Sequence, residues 1–441
     1  MKVSREHESD SMSDDEILSS VQREAFQYFL GGNDGPIPCL ISDTSEANSD
    51  CSIAAIGFNL AALTVGVERA LIDREVAAER ARETLRFFSE SEQSDAPGAT
   101  GFRGFYYHFL DRRTGRRAGG CELSSIDTTL FIAGALAASG YFDRENRVER
   151  DIRRLAQTLY ERIEWDWMCA GGVAVSQGWK PARGFLRYRW QGYNEGMLLY
   201  ILALGSPTHP LPADSYSEWM RTYRWRHLYG HPFLYAGPLF IHQYPHCFID
   251  FRGIRDPFMR EKGSDYFENS RRAVLIHREY AIRNPKGFAG YGENFWGFSA
   301  SDGPGPTRRT VDGHALTFYN YRARGAPFGP DDGSIAPCAA IAMYPFAPET
   351  ILPLIRNLVR MGFCETESEG FGKTINLTFP NGTGKREERG WISPRVYGIN
   401  QGPIVILLEN ARTDLIWGLL RACPYVISGL RRAGFGGGWL E

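Results

Sequence analysis

The chain alternates between segments that are apolar on every side and segments that are apolar on one face only. A helix without a polar face belongs in the interior of a large protein, whereas an amphipathic helix keeps one face for water. The clearest inner and outer pairs are 53–70 with 73–88, 126–139 with 149–163, 196–204 with 214–225, and 335–343 with 348–361. We therefore predict an all-α fold of about twelve helices in six pairs, a closed (α/α)₆ toroid.

Strand patterns are nearly absent from the rest of the sequence. A β-hairpin is predicted at 101–118, where aromatic residues alternate before a turn at Thr114 and Gly115. The scarcity of strands argues against a Rossmann sheet or a (β/α)₈ barrel. Residues 1–13 are predicted to be a disordered tail, and residues 14–441 a single domain.

Composition excludes several classes of protein. A formal net charge of −2 gives no cationic field for nucleic acid, and no apolar run is long enough to predict a membrane span. The N-terminus lacks the apolar core of a secretory signal, which predicts a cytoplasmic protein, or a periplasmic one if a leader was removed. The eight cysteines form no C-x-x-C pair, so we expect reduced, buried thiols. The sequence leaves the oligomeric state open.

The segment 187–210 carries the strongest functional signal. Trp190, Gln191 and Tyr193 bring aromatic and amide groups to the start of the apolar helix 196–204, and Glu195 lies in its first turn. A lone Glu in a first turn often does no more than complement the helix dipole. The aromatic and amide neighbours favour instead a sugar-binding cavity with Glu195 as a catalytic acid.

A second pair of acids, Glu122 and Asp127, lies at the start of the apolar helix 126–139. Ser124 and Asp127 match a capping box, which by itself can explain both residues. In a toroid, however, acids at the starts of two inner helices face one opening. Glycoside hydrolysis requires such a pair, with one acid to protonate the leaving oxygen and one base to activate water.

Polar and aromatic loops elsewhere supply candidate sugar contacts. These candidates are His242, Tyr244, Asp250, Arg252, Tyr291, Trp296, Arg324 and Gln401. Packing or a buried polar network that braces a loop is an equal explanation for Asp250 and Arg252. His242 and His246 have the spacing of metal ligands, but Pro245 interrupts them and the metalloprotease motif is missing, so we predict neither a metal nor a cofactor.

Seven stretches together resemble the bacterial glucoamylase-like conserved domain. They are SSIDTTLFIAG, RWQGYNEGMLLYILALGSPTHPLP, GPLFIHQYPHCFIDFRGIRD, DYFENSRRA, GYGENFWGFSASDGPG, ARGAPFGPDDGSIAP and GINQGPIVILLEN. The resemblance implies an (α/α)₆ toroid that acts on an oligo- or polysaccharide, as in the endo-β-1,2-glucanases, with inversion. It also implies that Glu195 is the first choice for an essential acid, Asp127 the second and Glu122 a weaker third.

Two other functions are compatible with the same residues. A sugar epimerase or polysaccharide lyase on this fold would use a His and a Tyr, for which His242 and Tyr244 are available. A non-catalytic glycan-binding protein would keep the aromatic cavity without turnover. Product analysis separates the three, because lyases leave an unsaturated end and epimerases cleave nothing.

Overall fold

The computed structural model describes residues 12–31, 36–363, 370–380 and 390–441, so the predicted tail lies almost wholly outside the described residues. Fifteen α-helices are present in these ranges. They are α1 (Asp14–Gly31), α2 (Ile53–Glu68), α3 (Arg74–Glu90), α4 (Ser125–Tyr141), α5 (Arg147–Glu161), α6 (Gly196–Leu204), α7 (Ser215–Met220), α8 (Tyr244–Phe248), α9 (Pro257–Lys262), α10 (Tyr266–Arg283), α11 (Pro337–Ile341), α12 (Pro348–Arg360), α13 (Gly398–Thr413), α14 (Leu415–Arg421) and α15 (Pro424–Arg432). The helix-rich class predicted from the sequence is confirmed.

The helices without a polar face pack against one another in the centre. Helices α2 and α4 approach so closely that a Cβ on Gly134 would lie 1.9 Å from the Gly57 carbonyl oxygen, so a larger residue would force them apart. Helix α4 also contacts α6, and α6 contacts α8. Helix α13 packs against α8, α11 and α2, so the last apolar helix of the chain meets the first.

The amphipathic helices cover this central group. Helix α1 lies against α13 and α2, α3 and α5 lie against α2, α4 and each other, and α12 lies against α11. Residues 214–225 pack on α6 as predicted, through the rings of Tyr216 and Trp219 against Tyr200, but the longer helix contact of α6 is with α15. Its glycines explain the contact: a Cβ on Gly205 would lie 2.1 Å from the Tyr425 carbonyl oxygen. Gly205 itself has an ordinary helical φ of −75°, so close approach rather than a left-handed cap requires glycine here.

Short strands are more numerous than the sequence predicts. The described residues contain β1 (Cys51–Ser52), β2 (Gly101–Phe102), β3 (Phe105–Tyr107), β4 (Phe109–Leu110), β5 (Leu123–Ser124), β6 (Gly178–Lys180), β7 (Gly184–Phe185), β8 (Trp225–Leu228), β9 (His231–Leu234), β10 (Ala300–Ser301), β11 (Thr307–Val311), β12 (His314–Phe318), β13 (Arg322–Ala323), β14 (Ser334–Ile335), β15 (Ile375–Asn376) and β16 (Trp391–Ile392). Most are two or three residues long, too short for the alternating pattern of four to eight residues by which strands are recognised.

These strands fix where the central helices begin. Strands β2, β3, β5, β6 and β7 form one antiparallel sheet in that order, while β4 pairs with β1. Strand β1 leads directly into α2 and β5 directly into α4, so the two sheets hold the first turns of these helices in place.

Two further expectations concern the chain as a whole. In the part of the chain that the structure describes, no helix has the length and apolar character needed to cross a membrane. The seven cysteines in the described ranges are free thiols.

Candidate active site

Glu195 lies at the N-terminus of α6 without capping that helix. Asn194 does so instead, since its Oδ1 accepts hydrogen bonds from the Gly196 N–H at 3.0 Å and from Trp219 Nε1 at 3.2 Å. The Glu195 side chain is partly accessible to solvent. Burial nevertheless raises its pKa to about 7, and the negative charge of Asp127 acts in the same direction. A carboxyl group that is both accessible and desolvated lies in a recess, where it can hold a proton near neutral pH.

Asp127 lies in the first turn of α4 and is almost completely buried. The predicted cap is present, because Ser124 Oγ accepts a hydrogen bond from the Asp127 N–H at 3.2 Å. The same hydroxyl donates to Asp127 Oδ2. The other carboxylate oxygen, Oδ1, lies 3.7 Å from His108 Nε2. Asp127 therefore both supports the Ser124 cap and lies in the recess.

Glu122 is joined to the same histidine. Its Oε1 lies 2.9 Å from His108 Nδ1, and this hydrogen bond is the largest cause of the lowered Glu122 pKa. The backbone explains the contact: β3 pairs with β5, and the His108 N–H donates to the Glu122 carbonyl oxygen at 2.9 Å. Burial opposes protonation of His108, but Asp127 and Glu122 outweigh it and raise the His108 pKa to about 9.

A further carboxylate in this recess, Asp43, is not among the residues predicted from the sequence. Its N–H donates to the Asp50 carbonyl oxygen at 2.7 Å, and its own carbonyl oxygen accepts from the Gly398 N–H at 2.9 Å, which ties its loop to the start of α13. Burial raises the Asp43 pKa to about 6; the His108 charge lowers it and the Asp127 charge raises it. Asp127 is thus close enough to Asp43 to affect its ionisation.

Tyrosine side chains form a wall of the recess. Tyr321 is 44 % exposed, and its ring lies 5.1 Å from that of Tyr397, centroid to centroid. Burial is the main cause that raises the Tyr321 pKa, and Asp43 and Asp127 contribute to it. Tyr244, at the start of α8, lies near Glu195, whose charge adds to the effect of burial on the Tyr244 pKa. An exposed aromatic face next to carboxylates suits a sugar ring, which stacks its C–H face and donates from its hydroxyls.

The remaining residues of the Glu195 segment support its position. Trp190 Nε1 donates to Ser125 Oγ at 2.9 Å, which joins the segment to the start of α4. Gln191 Nε2 donates to Glu218 at 2.7 Å. Tyr193 is nearly buried, with its hydroxyl 3.3 Å from His242 Nδ1. The structure thus gives Trp190, Gln191 and Tyr193 protein partners.

For Asp250 and Arg252 the prediction of sugar contacts is wrong. Asp250 is buried and forms ion pairs with Arg252 and Arg421, and Arg252 also pairs with Asp414. Asp414 follows the C-terminus of α13, whereas Asp43 lies at its N-terminus. A helix of 16 residues is about 24 Å long, so these ion pairs lie at the opposite end of the central helices from the recess.

Direct contact with a sugar is also wrong for Trp296, Arg324 and His242, whose side chains are completely buried. Arg324 makes two hydrogen bonds to Asp332, at 2.7 and 2.8 Å. His242 lies between the Tyr193 hydroxyl and the Ala236 carbonyl oxygen, and burial lowers its pKa to about 4.

Tyr291 and Gln401 are nearly buried as well. The Tyr291 hydroxyl donates to Asp331 Oδ1 at 2.6 Å, so it already has a protein partner. Gln401 is 4 % exposed, and its Nε2 has no hydrogen-bond partner among the described residues. A contact of Gln401 with substrate stays a prediction.

Replacing Arg324 tests its structural role. Arg324→Met removes one partner of a fully buried ion pair and leaves the Asp332 charge uncompensated, so we expect a loss of about 3–5 kcal/mol in the free energy of unfolding. Urea unfolding measures it. Arg154→Met, which removes an exposed partner of Asp151, is the matched control, with an expected change below about 1 kcal/mol. Equal effects of the two substitutions would contradict the assignment.

Asp43 and His108 were not predicted as site residues, and the sequence indicates them only weakly. Asp43 lies in a polar loop that leads into an apolar helix, the same setting that drew attention to Glu122. His108 interrupts a run of aromatic residues in 105–109. Their proximity to Asp127 depends on pairings between distant segments, which spacing along the chain does not reveal.

Solved structures resemble this chain over nearly its whole length. A "putative glucoamylase" from Bacteroides uniformis is 31 % identical, with a TM-score of 0.83 and coverage of 98 % of this chain and 100 % of that one. The endo-β-1,2-glucanase from Chitinophaga pinensis, solved with sophorotriose and glucose, is 28 % identical with a TM-score of 0.83, covering 97 % of this chain and 100 % of that one. Fold and recess thus define a helix-rich protein of the class to which these two structures belong.

A family model described as "Putative glucoamylase" matches residues 187–424, more than half of the chain. The chain belongs to this glucoamylase-like family. A curated relative, the exo β-1,2-glucooligosaccharide sophorohydrolase (non-reducing end) of Parabacteroides distasonis, is 27 % identical over 96 % of this chain. The chain spans 58 % of the length of that relative.

Proposed function

We propose that this chain is a glycoside hydrolase that cleaves a β-glucan, with β-1,2-glucan as the substrate. The observation that carries the proposal is the recess itself, in which Glu195 has a pKa of about 7 beside Asp127, with the exposed ring of Tyr321 near Asp127. The named activities of the relatives on β-1,2-glucans support the same substrate. We further propose that residues 14–441 form one domain, a closed (α/α)₆ toroid, since the contacts of α13 with α2 join the last inner helix to the first.

The proposed reaction is a single displacement. Protonated Glu195 donates its proton to the glycosidic oxygen as the bond from that oxygen to C1 breaks. Asp127, directly or through a substrate hydroxyl, accepts a proton from the water molecule whose oxygen attacks C1 from the opposite face. The products are two shorter glucans, one with an inverted anomeric centre. If both acids act directly, their separation falls in the inverting range of about 6.5–9.5 Å.

The pKa of Glu195 sets an expected pH dependence. A general acid must carry its proton, so kcat/KM should be highest below pH 7 and fall about tenfold per pH unit above it. A pH–rate profile on a β-1,2-glucooligosaccharide measures this limb. If kcat/KM stays constant up to pH 9, Glu195 is not the general acid.

A panel of linear glucans tests the substrate. We expect cleavage of β-1,2-glucan and no cleavage of β-1,3-, β-1,4- or α-1,4-glucans. Sizing of the products separates exo release of disaccharides from endo cleavage. An unsaturated end or an uncleaved epimer would contradict the proposal. The burial of His242 disfavours those alternatives, which require its ring to reach the substrate.

A further inference from the structure

We propose that His108 is a positioning residue: held between Glu122 and Asp127, it places a positive charge beside the proposed base and offsets the repulsion between the carboxylates of Asp127 and Asp43. This inference rests on the proposed function and adds to it a residue that contacts the carboxylates rather than the sugar.

The geometry gives each imidazole nitrogen an acidic partner. Nδ1 lies 2.9 Å from Glu122 Oε1, and Nε2 lies 3.7 Å from Asp127 Oδ1. Only the protonated imidazole can donate from both nitrogens. The ring is also held in place, because it stacks on Phe109 at 4.1 Å and its backbone donates to Glu122 and accepts from Ile53.

The charged groups that face His108 come from three separate elements. Glu122 precedes α4 beside β5, Asp127 lies in α4, and Asp43 lies on the loop before α2; all three raise the pKa of His108, against the opposing effect of burial. Other groups act on these acids in turn. Lys180 stabilises the charge of Glu122, Asp50 disfavours that of Asp43, and Asp127 disfavours that of Glu195.

Without a cation, such a recess could not keep its carboxylates ionised. Like charges in a desolvated site compete for ionisation, and one of them takes up a proton. Burial already raises the Asp43 pKa to about 6, and loss of the His108 charge, which lowers it, would raise it further. The His108 cation offsets this repulsion, because its Nε2 lies 3.7 Å from Asp127 Oδ1 and its charge lowers the pKa of Asp43.

A titration of the histidines tests directly whether the His108 ring is positively charged, and it requires no substrate. In protein labelled with ¹⁵N-histidine, NMR should show the His108 ring to be protonated at pH 7.5 and to titrate near 9, and His108→Gln should remove that signal. Glu122→Gln should lower the His108 pKa by at least one unit. A His108 that titrates at or below 6.5, or that is unaffected by Glu122→Gln, would overturn the inference even if the glucan is cleaved. Conversely, the titration can succeed although β-1,2-glucan is not cleaved, which separates this inference from the proposed function.

A pH–rate profile tests the consequence for turnover. His108→Gln should shift the acid limb of kcat/KM upward by about one pH unit, so that the loss relative to wild type approaches about tenfold below the wild-type limb and disappears on the plateau. His108→Lys, which keeps the positive charge, should retain more of the activity at pH 5. His209→Gln, at a half-exposed histidine beside Asp166, is the matched control and should change neither limb. A loss of the same factor at every pH would indicate a structural role only and would overturn the proposal. If His108→Gln does not fold, the titration of Glu122→Gln decides.

Discussion

Glu195→Gln should lower kcat/KM on β-1,2-glucan by about 10²–10⁴-fold, because the amide cannot donate the proton that the leaving oxygen requires. The loss should be seen in kcat at every pH below 7, where the wild-type carboxyl is protonated. Steady-state kinetics with product sizing measures it. Glu268→Gln is the matched control: Glu268 also lies in the first turn of a helix but is paired with Arg272, and its replacement should leave turnover unchanged.

Glu195→Gln should also raise the free energy of unfolding at high pH. Glu195 has a pKa of about 7 in the folded protein against an ordinary value of 4.5, so the folded state binds more protons between these pH values and its stability falls as pH rises. Glutamine does not titrate. The variant should therefore gain about 1–3 kcal/mol relative to wild type between pH 4.5 and 7, a range reduced for partial solvent exposure. Urea unfolding at several pH values measures it, and a constant difference would show that Glu195 is not desolvated.

The second large effect is expected for Asp127→Asn, which should lower kcat/KM by about 10²–10⁴-fold through loss of the base. Since the Asp127 charge helps to raise the Glu195 pKa, the basic limb of the pH–rate profile should also move to lower pH. This displacement separates a catalytic role from simple damage to the helix cap, which would leave the position of the limb unchanged.

Asp265→Asn is the matched control for the cap. Asp265 accepts a hydrogen bond from the Glu268 N–H at the start of α10, but it lies outside the recess. Because Asn caps a helix about as well as Asp, this replacement should change the free energy of unfolding little and leave the pH–rate profile unaltered. If Asp265→Asn lowers kcat/KM as much as Asp127→Asn does, the effect of the latter comes from the fold rather than from its carboxylate.

The central helices were predictable because their sequences are apolar on every side. Helix α6 begins and ends where the sequence predicts, at Gly196 and Leu204. The outer layer was less predictable. Residues 214–225 form only the short α7 before β8 begins, and α6 also packs against α15, more than 200 residues further along the chain.

The residues of the site also differ in how well the sequence predicts them. Glu195 and Asp127 are proposed as the catalytic pair because each acid lies at the start of an apolar helix, and they lie close enough for the Asp127 charge to raise the Glu195 pKa. Arg324 and Trp296 were misassigned because polar and aromatic residues in a Gly-rich loop give the same sequence pattern whether they face a ligand or brace the loop. Burial decides between these cases, and burial depends on contacts that the sequence does not display.

The most direct test of the account is a crystal structure of Glu195→Gln with a β-1,2-glucooligosaccharide bound. We predict that a glycosidic oxygen lies at hydrogen-bond distance, about 3 Å, from the side chain at position 195, with Asp127 on the other side of the same sugar ring and Tyr321 beside it. A glucan bound elsewhere, with no glycosidic oxygen within about 6 Å of position 195, would contradict the claim that carboxylates from separate central helices meet at one catalytic recess.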